Sequence, residues 1–184
     1  MRRRPVSTIA AGLALALAMT GCSGPATVKS GSAGLSEQER SIRSTVTLYN
    51  ALLAEGYARQ NMSGLAKVAS EDQTYTEYLH MSAIGEMKRR LVSTLTSMTF
   101  ESVAVSGTAA TVRTRETWDY EQVSIAKATS GTVQLKEHDV VYRLTYSLEL
   151  RKDRWIVTAV VDTDTGAGAG SNARESTPAT ASAP

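Results

Sequence analysis

Between Ile42 and Tyr57, apolar side chains recur at steps of three and four: Ile42, Val46, Tyr49, Leu53 and Tyr57. That spacing lines one face of a helix, because 3.6 residues complete each turn. Ser36-Glu37-Gln38-Glu39 fits a capping box just ahead of the stripe, and the pattern closes near Arg59, so the first helix is predicted over 36–59. Asn61 can cap a short second helix through Leu65 and Val68. Ser70-Glu71-Asp72-Gln73 is a further capping box, opening a third helix whose inner face is expected to carry Tyr75, Tyr78, Leu79, Ile84, Met87 and Leu91. Gly85 weakens that segment, since glycine costs up to about 1 kcal/mol relative to alanine inside a helix.

From about Thr96 the period changes to two. Met98 to Val105 reads as a strand, Ser106-Gly107 as its turn and Ala109 to Tyr120 as the return. In that return Ala110, Val112, Thr114, Glu116, Trp118 and Tyr120 share one face, with Thr111, Arg113, Arg115, Thr117 and Asp119 on the other. The chain continues through Val123 and Ile125 and turns again at Ser130-Gly131. Val140, Tyr142, Leu144, Tyr146, Leu148 and Leu150 then alternate with Val141, Arg143, Thr145, Ser147 and Glu149. Lys152-Asp153 turns it once more into Trp155 to Val161. Helices followed by an antiparallel meander with one apolar face predict an α+β domain, its N-terminal helices packed on one side of the sheet.

The two ends differ in kind. Arg2 to Arg4 precede an apolar run from Val6 to Met19, and small residues then lead to Cys22, the one cysteine of the chain. This is the layout of a secretory signal peptide. At about 14 residues the run is short of the ~20 that a helix needs to cross a bilayer. Met19-Thr20-Gly21-Cys22 resembles a bacterial lipobox, which implies that the Cys22 thiol carries a diacylglyceryl group and that cleavage leaves it as the first residue. The expected division is a signal peptide over 1–21, a flexible tether over 22–35, the α+β domain over 36–162 and a Gly-, Ala-, Ser- and Thr-rich tail over 163–184. A tether of that length spans roughly 20 Å. Acyl chains at about 0.8 kcal/mol per buried methylene then hold the protein on the membrane without a spanning helix.

Removing the leader changes the charge. Three of the 20 basic residues lie in it, so 17 remain against 18 acidic ones, and the formal charge passes from +2 to about −1. A nucleic-acid partner is therefore not expected. Met87-Lys88-Arg89-Arg90, the one basic cluster, is read as cations in the last turn of a helix, where they complement its dipole. With a single cysteine no disulfide is available, and stability must come from the core.

The leading helices, the long strands, Trp118-Asp119-Tyr120, the Tyr142-x-Leu144-x-Tyr146-x-Leu148 strand and the closing Asp153-Arg154-Trp155-Ile156-Val157 together resemble the nuclear transport factor 2-like superfamily. The resemblance covers about Ser36 to Asp162. It implies a cystatin-like cone, with helices on a curved antiparallel sheet around a pocket that opens at the wide end. Ketosteroid isomerases and many bacterial lipoproteins share that cone, and the strand tyrosines and terminal Trp resemble its non-enzymatic accessory domains more than its catalysts.

The candidate pocket residues are Glu116, Trp118, Tyr142, Tyr146 and His80. A desolvated Glu116 could act as general acid or base, or it could accept hydrogen bonds that organise the helix-to-sheet interface. His80 could point into the pocket or into solvent. His138, in Lys136-Glu137-His138-Asp139, reads as part of a solvated strand end. Tyr75, Tyr78 and Trp155 join the other aromatics as pocket or core residues. Two separated histidines and no carboxylate cluster give no expected metal site, and no cofactor motif is present. The expected function is a membrane-tethered accessory module of the cell envelope with a protein partner and no catalytic residues. The alternatives are a carrier or sensor of a small apolar ligand, and an isomerase- or dehydratase-like enzyme. Because Ser23 follows the cysteine, the expected site is the outer membrane in a Gram-negative cell, and the outer face of the cell membrane in a Gram-positive one.

If Cys22 is the attachment point, labelling cells with a clickable fatty acid marks the protein, and Cys22→Ala abolishes the label and leaves an uncleaved or soluble form. A Cys22→Ala chain that still partitions wholly with membranes would overturn the assignment.

Overall fold

A computed structural model of the chain describes residues 34–164; the expected signal peptide, Cys22, the tether up to residue 33 and the tail from residue 165 lie outside the described residues. Helix α1 spans Glu37–Arg59, a 3₁₀ helix Met62–Lys67 and helix α2 Glu71–Glu86. Strands β1 (Arg89–Ser106), β2 (Ala109–Ser124), β3 (Val133–Arg151) and β4 (Arg154–Asp162) follow. They form one antiparallel sheet in the order β1-β2-β3-β4.

Each helix starts where a side chain satisfies an orphan backbone donor. The Ser36 hydroxyl accepts from the Glu39 amide, the Asn61 side chain from the Ser63 amide, and the Ser70 hydroxyl from the Gln73 amide. The reciprocal half of each capping box goes elsewhere. Glu39 pairs with Arg43 at 2.7 Å, and the Gln73 amide group turns into the core. Helix α1 ends at Gln60, whose left-handed backbone (φ 53°) lets its amide reach the last carbonyls.

The core forms where the α1 stripe meets the inner face of the sheet. Ile42, Val46, Tyr49 and Tyr57 pack with Val112, Trp118, Leu144, Tyr146, Leu148, Trp155 and Val157. Strand alternation is regular over this region. Val112, Thr114, Glu116 and Trp118 are buried on β2, as are Tyr142, Leu144, Tyr146 and Leu148 on β3, while Arg113, Arg115, Val141 and Arg143 face solvent. The link between the 3₁₀ helix and α2 joins β4 through Ser70 N–H to Val157 O and Val157 N–H to Val68 O, each 2.8 Å.

Three features differ from the sequence expectation. The inner face of α2 is Gln73, Glu77, Met81 and Ile84, whereas Tyr75, Tyr78, Leu79 and Met87 are exposed and Leu91 belongs to β1. The helix is turned because α1 brings tyrosine hydroxyls inward, and these need polar partners. Second, β1 starts at Arg89, so the basic cluster is not a helical last turn. Lys88 takes a positive φ of 57° between α2 and β1, Arg89 donates to the Gln122 side chain, and Arg90 to the Ala58 carbonyl. Third, β3 starts at Val133, so His138 lies within a strand and not at its end. Asp139 there adopts φ 55°, and its amide donates to Asp119.

The hairpin turns match their residues. Gly107 supplies φ 59° in the two-residue loop between β1 and β2. Between β3 and β4 both loop residues, Lys152 (φ 48°) and Asp153 (φ 63°), occupy the left-handed region that a type I′ turn demands. Neither is the best residue for it. Replacing the pair by Lys152→Asn and Asp153→Gly is expected to stabilise the domain by about 1 kcal/mol, read from urea denaturation midpoints.

Candidate functional site

Of the three buried carboxylates among the described residues, Glu77 on α2 and Glu116 on β2 organise the space between helices and sheet, and Asp162 lies at the end of β4. Glu116 points inward because it shares the even-numbered face of β2 with Val112, Thr114 and Trp118. Its Oε1 accepts from Asn50 Nδ2 (3.0 Å), Thr114 Oγ1 (2.8 Å) and Tyr146 OH (2.8 Å), and its Oε2 from Trp118 Nε1 (2.9 Å). Four protein donors thus converge on this carboxylate, three on Oε1 and one on Oε2. They come from α1, β2 and β3.

Glu77 gathers a second set. Its Oε1 accepts from Tyr49 OH (3.2 Å) and Gln73 Nε2 (3.0 Å), and its Oε2 from Tyr57 OH (2.8 Å). The two clusters meet where the Tyr49 and Tyr146 rings pack edge to face, with centroids 5.9 Å apart and planes at 82°. Burial pushes both phenols well above the ordinary tyrosine range, and a neighbouring carboxylate adds to the effect, Glu77 for Tyr49 and Glu116 for Tyr146. Towards the other end of the sheet Trp118 stacks on Tyr120, and Tyr120 meets Tyr142 edge-on; burial raises these two phenols as well.

A cavity of about 60 Å³ remains among these side chains. Because one water needs roughly 10–15 Å³ of such volume, it has room for a few waters. Ligand pockets are typically several hundred Å³. The structure places Glu116, Trp118, Tyr142 and Tyr146 together on the wall of this cavity. His80 is not among its lining residues; its Nδ1 lies 3.7 Å from Glu77 Oε2, on the helix side of that carboxylate. Trp155 is buried in the core away from the cavity wall, and Tyr75 and Tyr78 are outside altogether. His138 pairs with Asp119 at 3.2 Å on the surface.

Tyr49, Asn50, Tyr57, Glu77 and Tyr120 also line the wall, beside Leu53, Ile84, Leu91, Ser93, Leu144 and Val160, and the sequence reading did not single those five out as site residues. Asn50 continues the α1 stripe between Val46 and Leu53, and Glu77 stands four residues from both Gln73 and Met81. The signal was a polar residue at a core position of a helix. On the surface, Tyr75 and Tyr78 stack with centroids 6.3 Å apart beside Met62, Ala66 and Ala69, bordering an open groove of about 640 Å³ between the 3₁₀ helix and α2. Among the described residues no group of three or more His, Asp or Glu side chains could hold a metal ion. No helix among them is long and apolar enough to cross a membrane.

No protein-family model and no curated protein matches the sequence. In three dimensions the chain is similar to the intermembrane space region of the chloroplast protein ARC6, at 15% identity and a TM-score of 0.56, over 67% of this chain and 94% of that one. It is also similar to an Ntf2-like protein involved in plasmid conjugation, at 12% identity and a TM-score of 0.45, over 65% of this chain and 46% of the other. An NTF2-like protein of unknown function from Shewanella oneidensis MR-1 gives 13% and 0.41, over 65% and 96%. At such identities the likeness concerns the fold. It is α+β, with helices followed by a curved four-stranded antiparallel sheet, as the sequence pattern predicted.

Two outcomes follow for stability. Glu116→Leu removes the shared acceptor of four buried donors and is expected to destabilise by roughly 3–5 kcal/mol, whereas Tyr146→Phe removes one of those donors, a hydroxyl that also lies 3.1 Å from Asn50 Oδ1, and costs about 1–3 kcal/mol. Both are read by denaturant unfolding. The buried phenols also set an alkaline limit. Each keeps its proton to a higher pH when folded than its ordinary value of 10.0, so the stability this carries is complete below that pH and is lost as pH rises above it. Unfolding midpoints between pH 9 and 11.5 should fall by up to about 1.4 kcal/mol per pH unit for each such tyrosine, and less steeply in Tyr146→Phe.

Proposed function

We propose that this protein is a lipid-anchored extracytoplasmic module that acts by presenting its surface to a protein partner in the cell envelope, without chemistry of its own. The observation that carries this reading is the commitment of Glu116. Glu116, the sheet carboxylate on the cavity wall, has four protein donors at 2.8–3.0 Å, three on Oε1 and one on Oε2, so most of its accepting capacity is spent within the protein. The volume beside it points the same way. A cavity of about 60 Å³ does not admit a ring-sized apolar ligand, which weighs against a carrier of the kind the cone fold suggests.

Outside, the molecule is better provided. Tyr75, Tyr78 and Leu79 are about half exposed on α2 beside the open groove. Tyrosines with one apolar flank and a free hydroxyl are common anchors at protein interfaces. This face is our assignment for the partner contact.

A photo-crosslinking phenylalanine analogue in place of Tyr78, in cells, should yield one discrete adduct that Tyr75→Ala diminishes at least tenfold. The same analogue at exposed Glu55 on α1 should give none. Equal adducts from both positions, or none from Tyr78, would overturn the assignment.

A further inference from the structure

The face of the sheet turned away from the helices carries an arrangement that the fold does not need. On β2, Arg113 and Arg115 both point outward, and the β2–β3 register sets Arg115 directly opposite Arg143. Like charges directly opposed across a strand pair destabilise a sheet. Acidic relief is partial. Arg143 lies 3.8 Å from Glu101 and 3.7 Å from Asp164, while among the described residues no carboxylate is within ion-pair distance of Arg113 or Arg115. Around the three guanidinium groups stand the short hydroxyl side chains of Thr99 and Ser102 on β1 and of Thr117 and Thr145 on the central strands, paired in register with the arginines or two residues away, with the exposed Val141 and Val161 beside them. The Thr145 hydroxyl is buried there without a hydrogen-bond partner.

We infer that this face is an anion-binding surface, and that its ligand is the phosphate of anionic phospholipid headgroups in the bilayer to which the protein is tethered. Three points carry the choice. Arginine forks match phosphate oxygens bidentately, and a bound phosphate would neutralise the opposed Arg115–Arg143 pair. The patch is local, since the chain without its leader has 17 basic against 18 acidic residues, so it concentrates positive charge on an otherwise balanced molecule. Its position also suits a membrane. Arg43 near the start of α1 stacks over Phe100, and Phe100 pairs with Thr114, so the arginines lie level with the first turns of α1, the part of the domain nearest in sequence to the proposed anchor. The inference rests on the lipid-anchor reading for its choice of ligand, but the face can be tested without the anchor.

The test uses the chain from Ser23 onward, made without an acyl group, which keeps every described residue. Its co-sedimentation with phosphatidylcholine vesicles containing 40 mol% phosphatidylglycerol should exceed that with pure phosphatidylcholine by at least tenfold, and should weaken steeply between 50 and 300 mM salt. Each of Arg113→Gln, Arg115→Gln and Arg143→Gln should lower binding roughly fivefold. Arg115→Gln should meanwhile raise the melting temperature, because it removes the opposed charge; weaker binding by a more stable protein is a result that misfolding cannot produce. Competition by 10 mM inorganic phosphate separates the sources: little competition supports headgroups at a surface, and full competition by free phosphate overturns the bilayer assignment. Equal binding to both vesicle types overturns the inference. So does capture by poly-glutamate without vesicle binding, which would assign the face to an acidic protein. Absence of a fatty-acid label on the unsubstituted protein would remove the anchor reading while leaving the vesicle result standing.

Discussion

The interior is organised around the Glu116 carboxylate. Taking it out of water costs several kcal/mol, and the structure offsets this with four hydrogen bonds from Asn50, Thr114, Trp118 and Tyr146. Because the donors belong to α1, β2 and β3, the bonds fix how a helix and two strands meet. A slip of one residue in the β2–β3 pairing would put Glu116, with Thr114 and Trp118, on the opposite face from Asn50 and Tyr146 and break the two bonds that cross between elements. Apolar packing alone would tolerate more than one arrangement of these elements. The carboxylate selects one.

That choice has a functional corollary. A cone fold can keep its inward polar groups available for a substrate, or it can use them to join helix to sheet. Here Glu77 and Glu116 both accept from tyrosine hydroxyls of the protein itself, and the residual space is a few waters across. On the proposed reading, recognition falls to the exterior, where the domain presents two unlike surfaces on opposite sides of its sheet. One is aromatic, along α2 and the 3₁₀ helix, and the other is cationic, on β2 and β3. A tethered domain with two such surfaces can hold one of them to a support and offer the other.

How much of this was legible in the sequence depended on whether polarity and burial agree. They largely agree along β2, β3 and α1, where the outer positions are mostly polar, Val141 and Leu48 excepted, and the inner ones mostly apolar, and there the face assignments follow from period alone. Glu116 was visible by alternation, being bracketed by Thr114 and Trp118. On α2 the two disagree. Gln73 and Glu77 are inside and Tyr75, Tyr78 and Leu79 outside, so a reading that sends apolar residues inward turns the helix the wrong way. What fixes α2 is a long-range demand from Tyr49 and Tyr57 for acceptors, which no local window contains. The early parts of β1 and β3 were hidden for a related reason. Their residues, Arg89-Arg90 and Lys136 to Asp139, are too polar to show a buried face, and pairing with β2 makes them strands all the same.

The irregularities of β1 also matter when many copies share a surface. This strand is an outer edge of the sheet and 18 residues long, with a row of backbone groups directed at whatever lies alongside. Two bulges, between Leu95 and Ser97 and between Phe100 and Ser102, break its register twice, and Glu101 stands at the second. A neighbouring chain could align with no more than a few residues before its hydrogen bonds fell out of step. Molecules confined to a plane meet far more often than molecules free in solution. The kinks in β1 therefore let such a protein be crowded without zipping, edge to edge, into fibres.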